Sequence, residues 1–142
     1  MNIGIIGSGT MGNGIAHVFS LYNNKVILVD INKQILGSAL EIISKNLKRQ
    51  FNKGYITQSQ VNIAINNIEI STNIEKLQSC DLIIEAVKED YKIKSEIFQK
   101  LDNLCDSKTI LASNTSSISI NLLSSKIIRK DKFIGMHFMN PV

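Results

Sequence analysis

The stretch Asn2-Ile3-Gly4-Ile5-Ile6-Gly7-Ser8-Gly9-Thr10-Met11-Gly12 decides the fold. It opens as an apolar, strand-like run, passes into G-x-G-x-x-G, and leads into Thr10–Tyr22, whose apolar residues recur with the period of a helix. Each glycine has a reason. Gly7 permits a tight turn, Gly9 lacks the Cβ that would keep a pyrophosphate off the backbone, and Gly12 lets helix and strand pack closely. A pyrophosphate there would rest on unpaired N–H groups at the positive end of the helix dipole. The same glycines also serve a bare strand–helix turn, so the surrounding sequence has to discriminate.

Outward from this turn, short apolar runs alternate with longer helical patterns. Strands are expected at Asn2–Gly7, Lys25–Asp30, Ile68–Ser71, Asp81–Val87, Thr109–Ser113 and Lys132–Phe138. Several are continuously apolar, as strands covered by helices on both faces must be. Helices are expected over Asn32–Asn52, with Ile35, Ala39, Ile42, Ile43, Leu47 and Phe51 on one side, and over Asp90–Cys105, striped by Ile93, Ile97, Leu101 and Leu104. Another starts at Thr57, with a capping box to Gln60, and turns Val61 and Ile65 inward. Gly54 is placed to end the long helix in the left-handed conformation, as Asn23-Asn24 is for the first one. The pattern predicts an α/β fold: a Rossmann-type doubly wound, mainly parallel sheet with a two-helix insertion after strand two.

Composition narrows the field. The chain has 142 residues, 44% of them hydrophobic and 20% charged, with one Pro and 8 Gly, which fits one globular domain and excludes disorder and low complexity. No apolar run reaches the ~18–20 residues of a membrane helix. Cys80 and Cys105 cannot build a disulfide framework and lie near no metal-ligand pattern, so no metal is expected. The reading is a soluble, cytoplasmic protein. Sixteen Lys and Arg against 12 Asp and Glu leave a net charge of +4, and aromatics are only 6% of the chain, so nucleic acid is not an expected partner. Basic residues cluster at Lys45–Lys53 and Lys126–Lys132, either as solvated faces or as an anion site.

The second predicted strand ends in Asp30, about 20 residues beyond the glycines, where a carboxylate can accept hydrogen bonds from the adenosine ribose and would repel a 2′-phosphate. That favours NAD, with NADP possible. Asp30 could instead cap the helix that follows. Ligands of doubly wound sheets bind outside the carboxyl ends of the strands. Those ends carry Glu85–Lys94, Ser113-Asn114-Thr115-Ser116-Ser117 and His137–Asn140. The small polar run offers hydroxyl and amide groups to a ligand, or a serine-rich cap to a helix starting near Ser119. His137, in a strand-like apolar run, reads either as a core residue or as a catalyst; His17, inside the first helix, reads as structural.

Taken together, Gly7–Gly12 with Met11, Asp30, Glu85–Asp90, Ser113–Ser117 and Gly135-Met136-His137-Phe138-Met139-Asn140-Pro141-Val142 strongly resemble the 3-hydroxyacyl-CoA dehydrogenases, above all their short bacterial 3-hydroxybutyryl-CoA members. The likeness runs from the first strand to the last residue, with Met139 where the family usually carries an aromatic. It implies an oxidoreductase interconverting short-chain (S)-3-hydroxyacyl-CoA and 3-oxoacyl-CoA in fatty-acid and butanoate metabolism. By the same likeness His137 is the general base, and Ser116 hydrogen-bonds the substrate oxygen and touches the nicotinamide. Gly7, Gly9, Thr10, Met11, Gly12, Asp30, Glu89, Lys94 and Asn140 are its cofactor contacts. Lys53 and Asn46 fall where the family's helical pair meets coenzyme A. A non-catalytic NAD-binding module is the alternative.

The resemblance further implies that residues 1–142 are the dinucleotide-binding domain, with the family's glutamate partner of the histidine, its helical second domain and its homo-oligomer interface lying beyond Val142. The 142 residues alone are therefore expected to bind NAD and to turn over weakly or not at all.

Overall fold

The computed structural model describes all 142 residues, Met1–Val142. Six strands, β1 (Asn2–Ile6), β2 (Lys25–Val29), β3 (Ile68–Ser71), β4 (Leu82–Glu85), β5 (Ile110–Ser113) and β6 (Phe133–Gly135), form one sheet in the order β3-β2-β1-β4-β5-β6. Every neighbouring pair is parallel. Parallel strands need crossovers, and helices supply most of them: α1 (Thr10–Leu21), α2 (Lys33–Asn52), α3 (Gln58–Asn66), α4 (Tyr91–Leu104) and the short α5 (Ile120–Ser124). This is the doubly wound Rossmann arrangement expected from the sequence, wholly parallel, with α2 and α3 inserted between β2 and β3.

Side chains alternate across the strands and divide the core into two layers. Ile3, Ile5, Val26, Leu28 and Ile84 pack with Ile15 of α1, Leu36 and Ile43 of α2 and Ala64 of α3. On the other face Ile6, Val29, Ile83 and Leu111 pack with Phe98 and Leu101 of α4 and Leu123 of α5. There the rings of Phe98 and Phe133 meet edge-on with centroids 4.7 Å apart. Full burial of side chains of this size stabilises the fold by about 1.5–3 kcal/mol each, which is why the strands are almost uninterrupted in apolar sequence.

The helix ends follow local chemistry. Asn32 Oδ1 accepts from Gln34 N and Ile35 N at the start of α2. Thr57 and Gln60 form the expected capping box on α3, and Asp90 Oδ1 accepts from Ile93 N on α4. Gly54 (φ 75°) follows α2 and Asn23 (φ 60°) follows α1, both left-handed as expected.

Expectations change in α2, α4, α3 and β6. In α2 the buried residues are Leu36, Ala39, Ile43 and Leu47, while Ile35 and Ile42 are 46% and 52% exposed and Phe51 is also at the surface. In α4 Lys94, Ser95, Phe98 and Leu101 turn inward and Ile93 outward; in α3 Ala64 is buried and Ile65 is not. A helix touches the sheet along one narrow stripe, so the apolar residues flanking that stripe face the grooves beside it. Finally, β6 stops at Gly135. Its partner β5 ends at Ser113, whose carbonyl accepts from Met136 N at 2.9 Å, and no backbone remains to pair with His137.

Candidate functional site

The strand order reverses between β1 and β4, and the glycine turn lies there. Gly7 has φ 96°, and a Cβ on it would stand 2.7 Å from the carbonyl oxygen of Ala86, just beyond β4. A Cβ on Gly12 would stand 1.7 Å from the carbonyl oxygen of Gly7. Neither position can hold a side chain without moving backbone. Gly9 differs: a Cβ there would meet nothing within 4 Å, so its missing side chain leaves a gap open to the groove. Gly9 also begins α1, and no side chain caps this helix, whereas the other four helices are side-chain capped. Uncapped N–H groups behind a bare glycine suit a pyrophosphate.

Asp30 follows β2 at the edge of the same turn. Its Oδ2 accepts from Ser8 N and Ser8 Oγ, both at 2.8 Å, and Oδ1 is left with only a 3.4 Å approach from Asn32 N. Since Asn32 caps α2, Asp30 is not the helix cap. One oxygen braces the glycine turn and the other is available to hydroxyls. Gly7, Gly9, Asp30, Ile31, Val87 and Ile93 help line a largely apolar groove of about 640 Å³, wide enough for a nucleoside. Ile35 and Ile93, which the helix registers turn out of the core, reappear here beside Ile31.

Beyond Ala86 and Val87 the groove continues into a second pocket of about 440 Å³, lined by Met11, Glu89, Asn114, Ser116, His137, Phe138 and Asn140 among others. His137 is exposed at the carboxyl end of β6, not in the strand, so of its two readings the core residue is excluded. Asn114 Oδ1 accepts from Phe138 N at 2.7 Å and joins the two loops that bear Ser116 and His137.

The small polar run after β5 is organised by Glu89. Its Oε1 accepts from Thr115 Oγ1, Ser116 N, Ser117 N and Ser117 Oγ. Partial burial pushes this carboxyl up, but the bonds from Thr115, Ser117 and Lys94 outweigh it and bring it down to about 2. Ser119, not the run before it, caps α5 through Leu122 N. Lys94 does not line the groove. Its side chain is 1% exposed, and Nζ lies 2.6 Å from Glu85 Oε1, 3.3 Å from Glu89 Oε2 and 3.3 Å from the carbonyl of Val87. Glu85, fully buried at the end of β4, also accepts from Val87 N and from Ser113 Oγ, both at 2.7 Å.

A third hollow of about 450 Å³, between α1 and α2, contains Asn46 with Thr10, His17, Arg49, Gln50 and Asn140. His17 Nε2 lies 3.2 Å from Gln50 Oε1; burial, with Arg49 nearby, lowers its pKa despite that bond. Lys53 lies outside this hollow, exposed at the end of α2. In the second basic cluster Arg129 is bonded to Asp102 and to carbonyls at the end of α4. Cys80 and Cys105 are buried and their thiols pushed up to about 12 and about 11, mainly by desolvation, which makes them inert. No group of His, Cys, Asp and Glu side chains is arranged to hold a metal.

Sequence reasoning placed Glu85 and Ser113 in strand-end segments but missed their bonds to each other and to a buried Lys94. A glutamate closing Leu82-Ile83-Ile84-Glu85, nine residues before a lysine, was the available signal.

Residues 2–142 match the family described as 3-hydroxyacyl-CoA dehydrogenase, NAD binding domain. The 3-hydroxybutyryl-CoA dehydrogenase of Clostridioides difficile is 42% identical over 142 residues, covering 100% of this chain and 50% of that protein. The 3-hydroxybutyryl-CoA dehydrogenase of Bradyrhizobium diazoefficiens is 41% identical over 140 residues, covering 99% and 48%. The crystal structure of (S)-3-hydroxybutyryl-CoA dehydrogenase from Ralstonia eutropha superposes with a TM-score of 0.96 at 39% identity, covering 99% of this chain and 50% of that one. The chain thus spans about half the length of the curated relatives it matches.

Proposed function

Because this chain belongs to the 3-hydroxyacyl-CoA dehydrogenase family, through that family's NAD-binding domain, we propose that it is the dinucleotide-binding domain of an NAD-dependent dehydrogenase. The reaction interconverts short-chain (S)-3-hydroxyacyl-CoA and 3-oxoacyl-CoA, with 3-hydroxybutyryl-CoA and acetoacetyl-CoA as the substrate pair. The observation that carries this reading is the common lining of one pocket by Met11, Ser116, His137 and Asn140, continuous with the groove at the glycine turn.

When bound, NAD supplies the hydride acceptor, or as NADH the donor. The chain's own residues do the rest. Backbone N–H groups of the α1 first turn bind the pyrophosphate, and Asp30 Oδ1 accepts from ribose hydroxyls. His137 removes the proton from the substrate's 3-hydroxyl in oxidation and returns it in reduction; an imidazole exchanges protons near neutral pH, which suits a reversible step. Ser116 donates to the substrate oxygen, its loop held by Glu89. Asn46, in the hollow beside Asn140, and Lys53 meet the coenzyme A part of the thioester.

The test is His137→Gln in the full-length protein, assayed with acetoacetyl-CoA and NADH. Turnover should fall by ~10²-fold or more while NADH affinity stays within about twofold, as loss of a proton-transfer group requires. Near-normal turnover would overturn the assignment.

A further inference from the structure

Two carboxylates and one ammonium meet behind the pocket that holds Ser116 and His137. Every polar contact of Glu85 is a donor: Val87 N, Lys94 Nζ and Ser113 Oγ. The same holds for Glu89, which takes four donors from Thr115, Ser116 and Ser117 on Oε1 and Lys94 on Oε2. The Lys94 ammonium and the backbone N–H groups of Val87, Ser116 and Ser117 can only donate, so these contacts favour a charged acceptor at both positions. Lys94 is the only cation within salt-bridge reach of either one.

That ammonium is not shared evenly. It lies 2.6 Å from Glu85, with which it is completely buried, and 3.3 Å from Glu89, whose side chain is 36% exposed. Lys94 therefore neutralises Glu85. Two carboxylates against one ammonium leave the group with about one net negative charge, and of the two carboxylates it is Glu89, bonded mainly by hydroxyls and amides, that lines the pocket. Glu89 stays ionised far below neutral pH, its carboxyl lying at about 2.

We infer that this net negative charge makes the site prefer the oxidised, cationic nicotinamide over the reduced, neutral one, so that Glu89 sets the relative affinity for NAD⁺ and NADH. The inference rests on the NAD-dependent function proposed above. The loop bonds of Glu89 act on both nucleotide forms alike. Its charge does not, because only the oxidised ring carries a positive charge for it to attract.

The experiment compares dissociation constants for NAD⁺ and NADH on the full-length protein, by calorimetry, for wild type, Glu89→Gln, Glu89→Asp and Thr115→Val. In Glu89→Gln the ratio Kd(NAD⁺)/Kd(NADH) should rise about fivefold or more, the scale of losing one partly screened unit charge. Glu89→Asp keeps the charge and should keep the ratio within about twofold, even if both forms bind less tightly. Thr115→Val removes a loop bond without changing charge, and should likewise leave the ratio alone. A Glu89→Gln protein whose two constants move together would overturn the inference and leave NAD binding standing. Failure of either form to bind the wild-type protein would overturn the proposed function, and this inference with it.

Discussion

Phe138 donates its backbone N–H to the side-chain oxygen of Asn114 at 2.7 Å, and this bond joins the loop after β5 to the segment after β6. Asn114 is held in turn by its own N–H on the carbonyl of Glu85, at 2.8 Å. Ser116 and His137 are thus placed relative to each other by a residue that need not take part in the chemistry.

Replacing that residue tests the arrangement. Asn114→Ala should lower kcat by roughly ten- to a hundredfold, the cost of misplacing reacting groups by about an ångström. NADH affinity should stay within about twofold. Steady-state kinetics beside a nucleotide titration separates the two, and an equal loss in both would make Asn114 a cofactor contact instead.

The glycines of the turn should fail in different ways. Gly12→Ala puts a Cβ 1.7 Å from the Gly7 carbonyl oxygen, backbone against backbone, and should cost at least about 2 kcal/mol, lowering Tm by about 5 °C or more. Gly9→Ala meets no atom within 4 Å and should keep the Tm, yet weaken NADH about tenfold or more by filling the cradle. Thermal melts and NADH titration of both variants check the pair. Unchanged NADH affinity in Gly9→Ala would dismiss the cradle.

The Asp102–Arg129 pair makes a pH-dependent contribution to stability. Burial raises the Asp102 carboxyl, but the N–H of Ile128 and the guanidinium of Arg129 at 2.8 Å outweigh it and hold it below its ordinary value. A depressed carboxyl stabilises the fold fully above its unfolded pKa of ~3.9, and that stabilisation is lost as pH falls through the lower folded value. Asp102→Asn should cost about 1–3 kcal/mol at pH 7, with Arg129 left half-paired, and the gap to wild type should narrow by pH 3. Urea unfolding at the two pH values gives the answer.

Much of the site was legible in one dimension because its parts are local. The glycines, Asp30 at the end of an apolar run, the capping box Thr57–Gln60 and the left-handed Gly54 all depend on a few neighbouring residues. Register errors came where helices meet the sheet. A stripe drawn through Ile35, Ala39 and Ile42 fits the period as well as one through Leu36, Ala39 and Ile43, and only contact with the strands chooses between them. The end of β6 was misread for a related reason: an edge strand lasts only as long as its neighbour, and β5 ends at Ser113.

By itself the sequence determined that this is a parallel α/β chain with a dinucleotide turn, because hydrophobic period and glycine placement act over short spans. It also marked the segments Ser113–Ser117 and His137–Asn140 as candidates, since their polar side chains follow predicted strands. Only the tertiary structure decided how they are held. Lys94, expected as a cofactor contact, is a buried counter-ion; Glu85, expected within a strand running to Val87, closes β4 and anchors Ser113 and Lys94; Glu89, expected as a cofactor contact, organises the loop of Ser116. The physical reason is that charge compensation is set by distance in space. Glu85, Glu89 and Lys94 lie within one short stretch but on different elements, the end of β4, the loop after it and α4, and Ser113 arrives from the end of β5; their side chains meet only because the fold brings these element ends together.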